Sequence, residues 1–483
     1  MSNRKKQRVS IAVKSSIVYA LSSIFSTGLA VITIPIFTRI MPTADIGVVN
    51  LYTSWYTMIS VVATLSLTSG GFQRALKEFR DERDSYVSSV LTLTSCMALA
   101  IGVVYLFNPP FWNRLTGLST RLMILLVLEL FLAPAQYFWL ARQRYEYKYK
   151  LVAAVTFSSA FLASLVSVVA VILASQKGCL SLGEIRLFAN YAVLLLYALV
   201  IWLHIYWKGR TVINKRYWMF SLSLSLPLIG NSISAQILNV SDRTMISHMV
   251  DNSSVGIYGV LYTTSSISLL VWHAINASFV PYLYENIERV DAQKNIRDIT
   301  AKLLGLFAVI TFLMTLFAPE IVRILATKEY YDAVYIMPPI AAGVFLISVS
   351  NMYSNILIYY KRTKFIMISS VIAALTNVIL NYFGIRLFGY TAAAYTTLIS
   401  YVLLVVIQGR IAIGIERRSR RKEFGNVYNN GCIVLLATAA VVLCLSCLLL
   451  YMSDIVRYLI LLVAAVLIFM NLGKIRRVCH RYS

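Results

Sequence analysis

Residues 241–262, SDRTMISHMVDNSSVGIYGVLY, have a partner far upstream at 38–52, TRIMPTADIGVVNLY. In each, an apolar run carrying one proline (Pro35 or Pro227) ends at an arginine (Arg39 or Arg243). A short polar link follows, and Ile46-Gly47 or Val255-Gly256 opens the next apolar run. Outward from these copies, hydrophobic runs of about 20 residues, the length that crosses a bilayer as a helix, recur fourteen times along the chain. The copies lie six runs apart, an even number, so they point the same way across a membrane. A parallel repeat of this kind predicts two six-helix lobes flanking a central site. The last two runs have no counterpart and read as an appended pair.

Composition agrees. Hydrophobic residues make up 59% of the 483 and charged residues 13%, so spans of about 21 residues leave no room for a folded soluble domain. The fold class predicted is an all-α polytopic membrane protein with fourteen transmembrane helices. Its expected organisation is a basic tail at 1–14, a first lobe at 15–207 (spans one to six) and a link at 208–217. A second lobe follows at 218–409 (spans seven to twelve), then a basic loop at 410–430, spans thirteen and fourteen within 431–473, and a tail at 474–483.

A net charge of +24 would suggest nucleic acid in a soluble protein. Here the charge follows topology instead. With span-end residues assigned to the nearer loop, 34 of the 44 Lys and Arg fall in the two tails and the even-numbered loops, and 10 in the odd-numbered loops. The positive-inside rule then puts both termini in the cytoplasm, as expected of a cytoplasmic (inner) membrane protein. Anionic membrane lipids, and no nucleic acid, are the expected counter-charge. The opening MSNRKKQRVSIAVK reads as a retained tail, because the apolar run after it is too long for a cleavable signal. Cys96, Cys432, Cys444 and Cys447 lie in apolar runs, Cys479 in the last tail, and only Cys179 is expected outside. Neither a disulfide framework nor a metal site is predicted.

The stretch 223–283, SLSLPLIGNSISAQILNVSDRTMISHMVDNSSVGIYGVLYTTSSISLLVWHAINASFVPYL, resembles the second-lobe signature of the polysaccharide-biosynthesis flippase family. The opening SSIVYALSSIFSTGLAVITIPIFTRIMPTADIGVVNLY is similar to that family's first span and loop, as is the region from Asn377 through GYTAAAYTTLIS. The family belongs to a superfamily of multidrug, oligosaccharidyl-lipid and polysaccharide exporters, and is similar in fold to the flippase of the peptidoglycan lipid precursor. The resemblance implies outward translocation of a polyprenyl-diphosphate-linked oligosaccharide, without covalent chemistry or a cofactor. Its product would pass to the polysaccharide polymerase machinery, for O-antigen, capsule or exopolysaccharide.

Polar stripes mark where such a substrate would bind. In span seven, Ser225, Ser232, Gln236, Asn239 and Arg243 share one helical face. Span ten carries Ser348, Asn351, Asn355 and Tyr359; span eleven carries Asn377 and Asn381; span eight places Tyr258, Tyr262, Ser266, His273 and Asn276 near one face. A polar stripe is costly in lipid and should face protein or a water-filled cavity. For any one residue, hydrogen-bonded glue between helices is the simpler reading. Taken together, the stripes point to a polar, aromatic lumen, with Arg39, Arg243, Gln236, Asn239, Asn351, Asn355, Tyr262 and Asn276 as the expected substrate-binding set.

Within that set Arg39 and Arg243 are the lobe-equivalent cations, and arginine suits bidentate phosphate recognition. The bland alternative is that each snorkels to the membrane surface. Arg74, Arg142 and Arg144, at the expected cytoplasmic mouth, read either as diphosphate capture or as topology anchors. Glu129 and His273 are the ionisable residues placed deepest in the spans, and are the candidates for proton or cation coupling. A hydrogen-bonded protonated carboxyl and a packed neutral imidazole are the structural alternatives.

Other classes fit less well. The sequence holds no P-loop, no H-E-x-x-H and no Gly-rich dinucleotide fingerprint. A membrane glycan polymerase or ligase would need a large external catalytic loop, and every expected external loop is short. A cation-coupled multidrug exporter is the nearer rival. It needs a deep acidic residue, for which Glu129 is the candidate, while the first span has neither Asp nor Glu.

Overall fold

The computed structural model describes residues 2–67, 71–419, 425–460 and 462, and among them every regular element is helical. Lipid offers backbone groups no water, so apolar runs satisfy them within helices. The first half comprises α1 (Ser2–Ile40), α2 (Thr43–Ala63), α3 (Gly71–Glu78), α4 (Arg83–Phe107), α5 (Pro109–Thr116), α6 (Thr120–Tyr145), α7 (Tyr149–Gln176) and α8 (Leu182–Gly209). The second comprises α9 (Lys215–Met249), α10 (Asn252–Ser265), α11 (Ser268–Asn286), α12 (Gln293–Leu316), α13 (Ala318–Leu325), α14 (Met337–Tyr359), α15 (Lys364–Phe388), α16 (Ala392–Ser419) and α17 (Asn430–Leu450). Link residues fix several helix starts. The side chains of Asn108, Ser119, Asn214, Asp251 and Asn429 each accept a first-turn N–H that would otherwise lack a partner.

Eleven helical segments among the described residues are long and apolar enough to cross a membrane. Helix α9 is not among them, because Asn231, Ser232, Gln236, Asn239, Asp242 and Arg243 break its apolar run. Three expected boundaries shift. Helix α1 starts at Ser2 rather than at 15, since no Gly or Pro interrupts the chain before Gly28. The expected eighth span is two helices, α10 and α11, separated at Ser266–Ile267. The expected ninth span stops at Leu316, and Pro319 starts the separate helix α13. The expected fourteenth span, 455–473, lies mostly outside the described residues.

Packing divides these helices into two bundles. In the first, α8 packs on α7, α6, α4 and α2, and α1 lies along α7. In the second, α9 packs on α15 and α14 on α16, α12 and α17. The bundles meet at one end through α2 against α9 and α10. At the other end, which carries the basic loops, the start of α9 packs on α3 and α4. There Tyr86 and Ser221 hydroxyls lie 2.9 Å apart, and Trp218 Nε1 donates to Ser89 O at 2.8 Å.

Much of the polar content of the second bundle is internal glue. Asn381 Nδ2 donates to Asn377 Oδ1 at 3.1 Å, Asn377 Nδ2 to Thr397 Oγ1 at 3.1 Å, and Ser241 Oγ to Asn377 Oδ1 at 3.2 Å; Thr396 Oγ1 donates to Asn381. Both asparagines are fully buried. Asn381→Ala is expected to cost about 1–2 kcal/mol, as lost interhelical bonds in membranes do, and to lower the melting midpoint of the detergent-purified protein.

Candidate functional site

Where the bundles meet, the two repeat copies face each other. A Cβ built at Gly47 would lie 1.8 Å from Asn252 O, and one at Gly256 would lie 2.1 Å from Thr43 O. Thr43 precedes Gly47 by four residues and Asn252 precedes Gly256 by four, so the contact is near-symmetric about the repeat axis. One turn on, Asn50 lies against Gly259, where a Cβ would meet its side chain at 2.5 Å. Backbones approach this closely only where small residues stand at the crossing. Beside it, Thr38 Oγ1 donates to Leu325 O at 2.8 Å and an Arg39 guanidinium nitrogen to Ile324 O at 3.0 Å, tying α1 to the C-terminal end of α13. The cation sits at the negative end of that helix.

Beneath this contact lies a cavity of about 510 Å³, walled by α1, α2, α8, α9 and the α10–α11 break. Its polar wall groups include Arg186, Arg243, Asn50, Thr53 and Thr263. The discontinuity itself, Ser266 and Ile267, forms part of the wall; irregular backbone at membrane depth belongs where it lines a cavity. Arg243 is buried. Its guanidinium donates to Asn239 O at 2.9 Å, lies 4.6 Å from the Tyr262 ring centroid and stands 3.8 Å from Asp242. The Asp242 carboxylate is held by Tyr258 Oη at 2.6 Å and by the Arg243 N–H at 2.8 Å.

Arg186, in the first turns of α8, stacks 3.7 Å from the Phe37 ring centroid, with no ion-pair partner among the described residues. A half-buried cation in a cavity wall without a carboxylate is positioned for an anion from outside the chain. Sequence reasoning missed Arg186, although it is one of the few cations in an odd-numbered loop.

The other expected site residues sort by geometry. Tyr262 lines the cavity beside Arg243. Arg39 does not, since it is exposed on the last turn of α1 and its bonds go to Pro35 O and Ile324 O. Asn239 accepts from Tyr401 Oη at 2.8 Å, and Asn355 donates to Asn276 at 3.0 Å, so these three join helices. Gln236 and Asn351 are half-buried and not among the cavity-lining residues. His273, on α11, is exposed and does not line this cavity. Glu129 is buried in the first bundle, where its Oε2 accepts from Tyr52 Oη at 2.8 Å and Tyr56 and Tyr191 stand beside it. A chamber of about 220 Å³ adjoins it, lined by Tyr56, Gln136, Tyr137 and Tyr191 among others.

Comparison with known proteins bears on this arrangement. A family model described as polysaccharide biosynthesis protein matches residues 12–287, more than half of the chain, and a second, MatE, matches residues 227–383. No curated protein matches the sequence significantly. Among solved structures, the lipid II flippase MurJ in an inward closed conformation aligns with a TM-score of 0.63 at 15% identity, over 96% of this chain and 100% of that one. An inward-facing multidrug resistance MATE family transporter of the MOP superfamily aligns with a TM-score of 0.61 at 13% identity, over 84% of this chain and 100% of that one. A MOP superfamily transporter from Pyrococcus furiosus gives 0.50 at 15% identity, over 84% of this chain and 97% of that one. At these identities the likeness is one of fold.

Proposed function

We infer that this chain, which belongs to the polysaccharide biosynthesis protein family, is a flippase that carries a polyprenyl-diphosphate-linked oligosaccharide from the inner to the outer leaflet of the cytoplasmic membrane. The observation that carries this reading is the pair Arg186 and Arg243 on one cavity between the bundles, beneath the Gly47–Gly256 contact. A diphosphate drawn in from the basic, cytoplasmic end would meet both guanidiniums at the far end of the cavity. Its polyprenyl tail would stay in lipid between the bundles, and sugars would lie against Tyr262, Asn50 and Thr53. Rocking the bundles apart at the glycine contact, and together at the other end, would expose the same cavity to the outside. The MurJ likeness supports a lipid-linked substrate, because that neighbour is a flippase of lipid II.

Energy would come without ATP. Two negative charges leaving an inside-negative cell gain about 4–5 kcal/mol per 100 mV. Clamping the potential to zero in reconstituted vesicles is therefore expected to slow outward transport, and an unchanged rate would remove the potential as driving force. In cells, depletion of the protein should accumulate lipid-linked oligosaccharide on the inner leaflet; normal export in its absence would refute the reading.

The tyrosine cage around Glu129 favours a second role, coupling to protons or cations, as a multidrug exporter of the same superfamily would require. Glu129→Gln keeps an acceptor for Tyr52. If Glu129 couples ions, this variant should fold normally and lose any dependence of transport on the proton gradient, measured as uptake with and without an imposed pH step. A gradient dependence equal to the parent's would assign Glu129 to packing.

A further inference from the structure

At the basic end, α3 has two faces. Phe72, Ala75 and Leu76, with Phe79 just beyond the helix, are buried. Phe72 stacks on Phe138 at 4.8 Å between centroids, and Phe79 meets the Tyr217 ring edge-on at 4.8 Å. These contacts pin α3 between α6 and α9. They turn Gln73, Lys77 and Arg80 toward a chamber of about 990 Å³, whose remaining wall includes Arg83, Tyr137, Arg144, Tyr145 and Tyr147. Among the described residues, four cations line this chamber and no carboxylate does. Arg83 is partly engaged, donating to Leu76 O at 2.9 Å, 5.0 Å from the Tyr145 ring centroid and 3.9 Å from Glu146. Arg144 lies 5.8 Å from the Tyr19 ring centroid. Lys77 and Arg80 have no ion-pair partner among the described residues.

The neighbouring pocket of about 360 Å³, lined by residues of α4, α6, α7 and α8, is built differently. There Arg142 bonds Asp84 and lies 3.1 Å from Glu146, and Lys148 lies 2.6 Å from Glu146. Where cations brace the helices, this chain supplies carboxylates. In the larger chamber the described residues supply none, and walls of one charge sign concentrate a mobile ion of the other. The chamber also leads somewhere. Tyr137 and Leu140 line both it and the chamber beside Glu129, whose Tyr56 lies one turn along α2 from Thr53 in the Arg186–Arg243 cavity.

We propose that this chamber is a first docking site for a diphosphate-linked saccharide lipid, at which Lys77, Arg80 and Arg144 hold the diphosphate and Tyr137, Tyr145 and Tyr147 stack on the first sugar. The assignment rests on the substrate reading above. The phosphate chemistry alone is shared with anionic bilayer head groups. Three tyrosines beside the cations favour the sugar-bearing lipid, because a ring face stacks on a sugar and finds nothing to stack on in a glycerol phosphate.

The test uses the full-length protein in phosphatidylcholine nanodiscs. The probes are farnesyl diphosphate and farnesyl-diphospho-N-acetylglucosamine, counted by native mass spectrometry. The parent should bind two molecules, one here and one at Arg186 and Arg243. Lys77, Arg80 and Arg144 are exposed, so their joint replacement by Gln leaves the core intact. That variant should weaken one of the two sites by about tenfold or more, the loss expected from removing charge-assisted bonds. Arg80→Lys with Arg144→Lys should retain binding, and Tyr147→Leu should weaken only the sugar-bearing probe. Two sites of parental affinity in the Gln variant would overturn the proposal, even if Arg186→Ala still removed the other molecule. If Arg186→Ala removed nothing while the Gln variant lost a site, the docking site would stand and the transport-site reading would fail. Displacement of the sugar-bearing probe by equimolar phosphatidylglycerol would overturn the saccharide assignment in favour of a bilayer head group.

Discussion

Gly256→Val is expected to hold open the end of the protein opposite the basic loops and to abolish productive transport. A Cβ at this position would lie 2.1 Å from Thr43 O and 3.0 Å from Gly47 N, both backbone atoms that no rotamer can move aside. Overpacking a tight contact costs about 1–3 kcal/mol, which shifts an equilibrium between closed and open states by roughly 5- to 150-fold. Gly47→Val should do the same from the other copy, against Asn252 O. Folding within each bundle should be spared, because the clash arises only where the bundles meet. The measurement is labelling of a cysteine placed at Asn50, in the cavity wall, by an impermeant thiol reagent added outside. Cys179, which is exposed, is replaced by Ser beforehand. Fast labelling in Gly256→Val and slow labelling in the parent is the expected result. Equal labelling would mean that the bundles do not close across these glycines.

The second large effect is expected at Arg186. Removing its guanidinium leaves no buried carboxylate behind, because Arg186 rests on the Phe37 ring and not on an acid. Arg186→Ala should therefore fold normally and bind a prenyl diphosphate about 10- to 150-fold more weakly, the equivalent of one charge-assisted bond at about 1.5–3 kcal/mol. Arg243→Ala should impair transport as severely, but it strips Asp242 of its counter-ion 3.8 Å away. Breaking a buried pair costs stability by itself. The informative comparison there is Arg243→Lys, which keeps the charge and loses the planar fork, and should restore part of the transport that Ala removes. Binding in Arg186→Ala equal to the parent's, measured by calorimetry in nanodiscs, would take the cavity arginines out of the site.

The repeat was legible because its signature residues make the contact that joins the bundles. Gly47 and Gly256 face each other, so the pattern that marks the copies in sequence is also the place where they touch. The helical character of the chain was legible for a simpler reason, the length of its apolar runs. Site residues were harder to read. Arg39 and Arg243 look equivalent by their order in the repeat, but α1 ends one residue past Arg39 at Ile40, while α9 runs on to Met249. One arginine therefore sits at a helix end among exposed groups, and the other nearly two turns inside a wall. Arg186 was passed over because an apolar run drawn from 187 leaves it in a loop, whereas α8 begins at Leu182 and carries it into the cavity. His273 lies past the break at Ser266–Ile267, and it is exposed where Tyr258 and Tyr262 are buried. The asparagine stripes of α9, α14 and α15 could not be divided from sequence into lumen and glue, since both uses demand the same residue types at the same spacing.

Outward movement of a diphosphate-linked lipid through the cavity of Arg186 and Arg243 is the centre of this account, and one measurement addresses it most directly. Purified protein is reconstituted into vesicles with a fluorescent farnesyl-diphospho-N-acetylglucosamine on the inner leaflet and an inside-negative potential, and its arrival outside is followed by an impermeant quencher. The account predicts protein-dependent exposure of the probe that is lost in Arg186→Ala and in Gly256→Val. Exposure at the rate of protein-free vesicles, or at the parental rate in both variants, would contradict it.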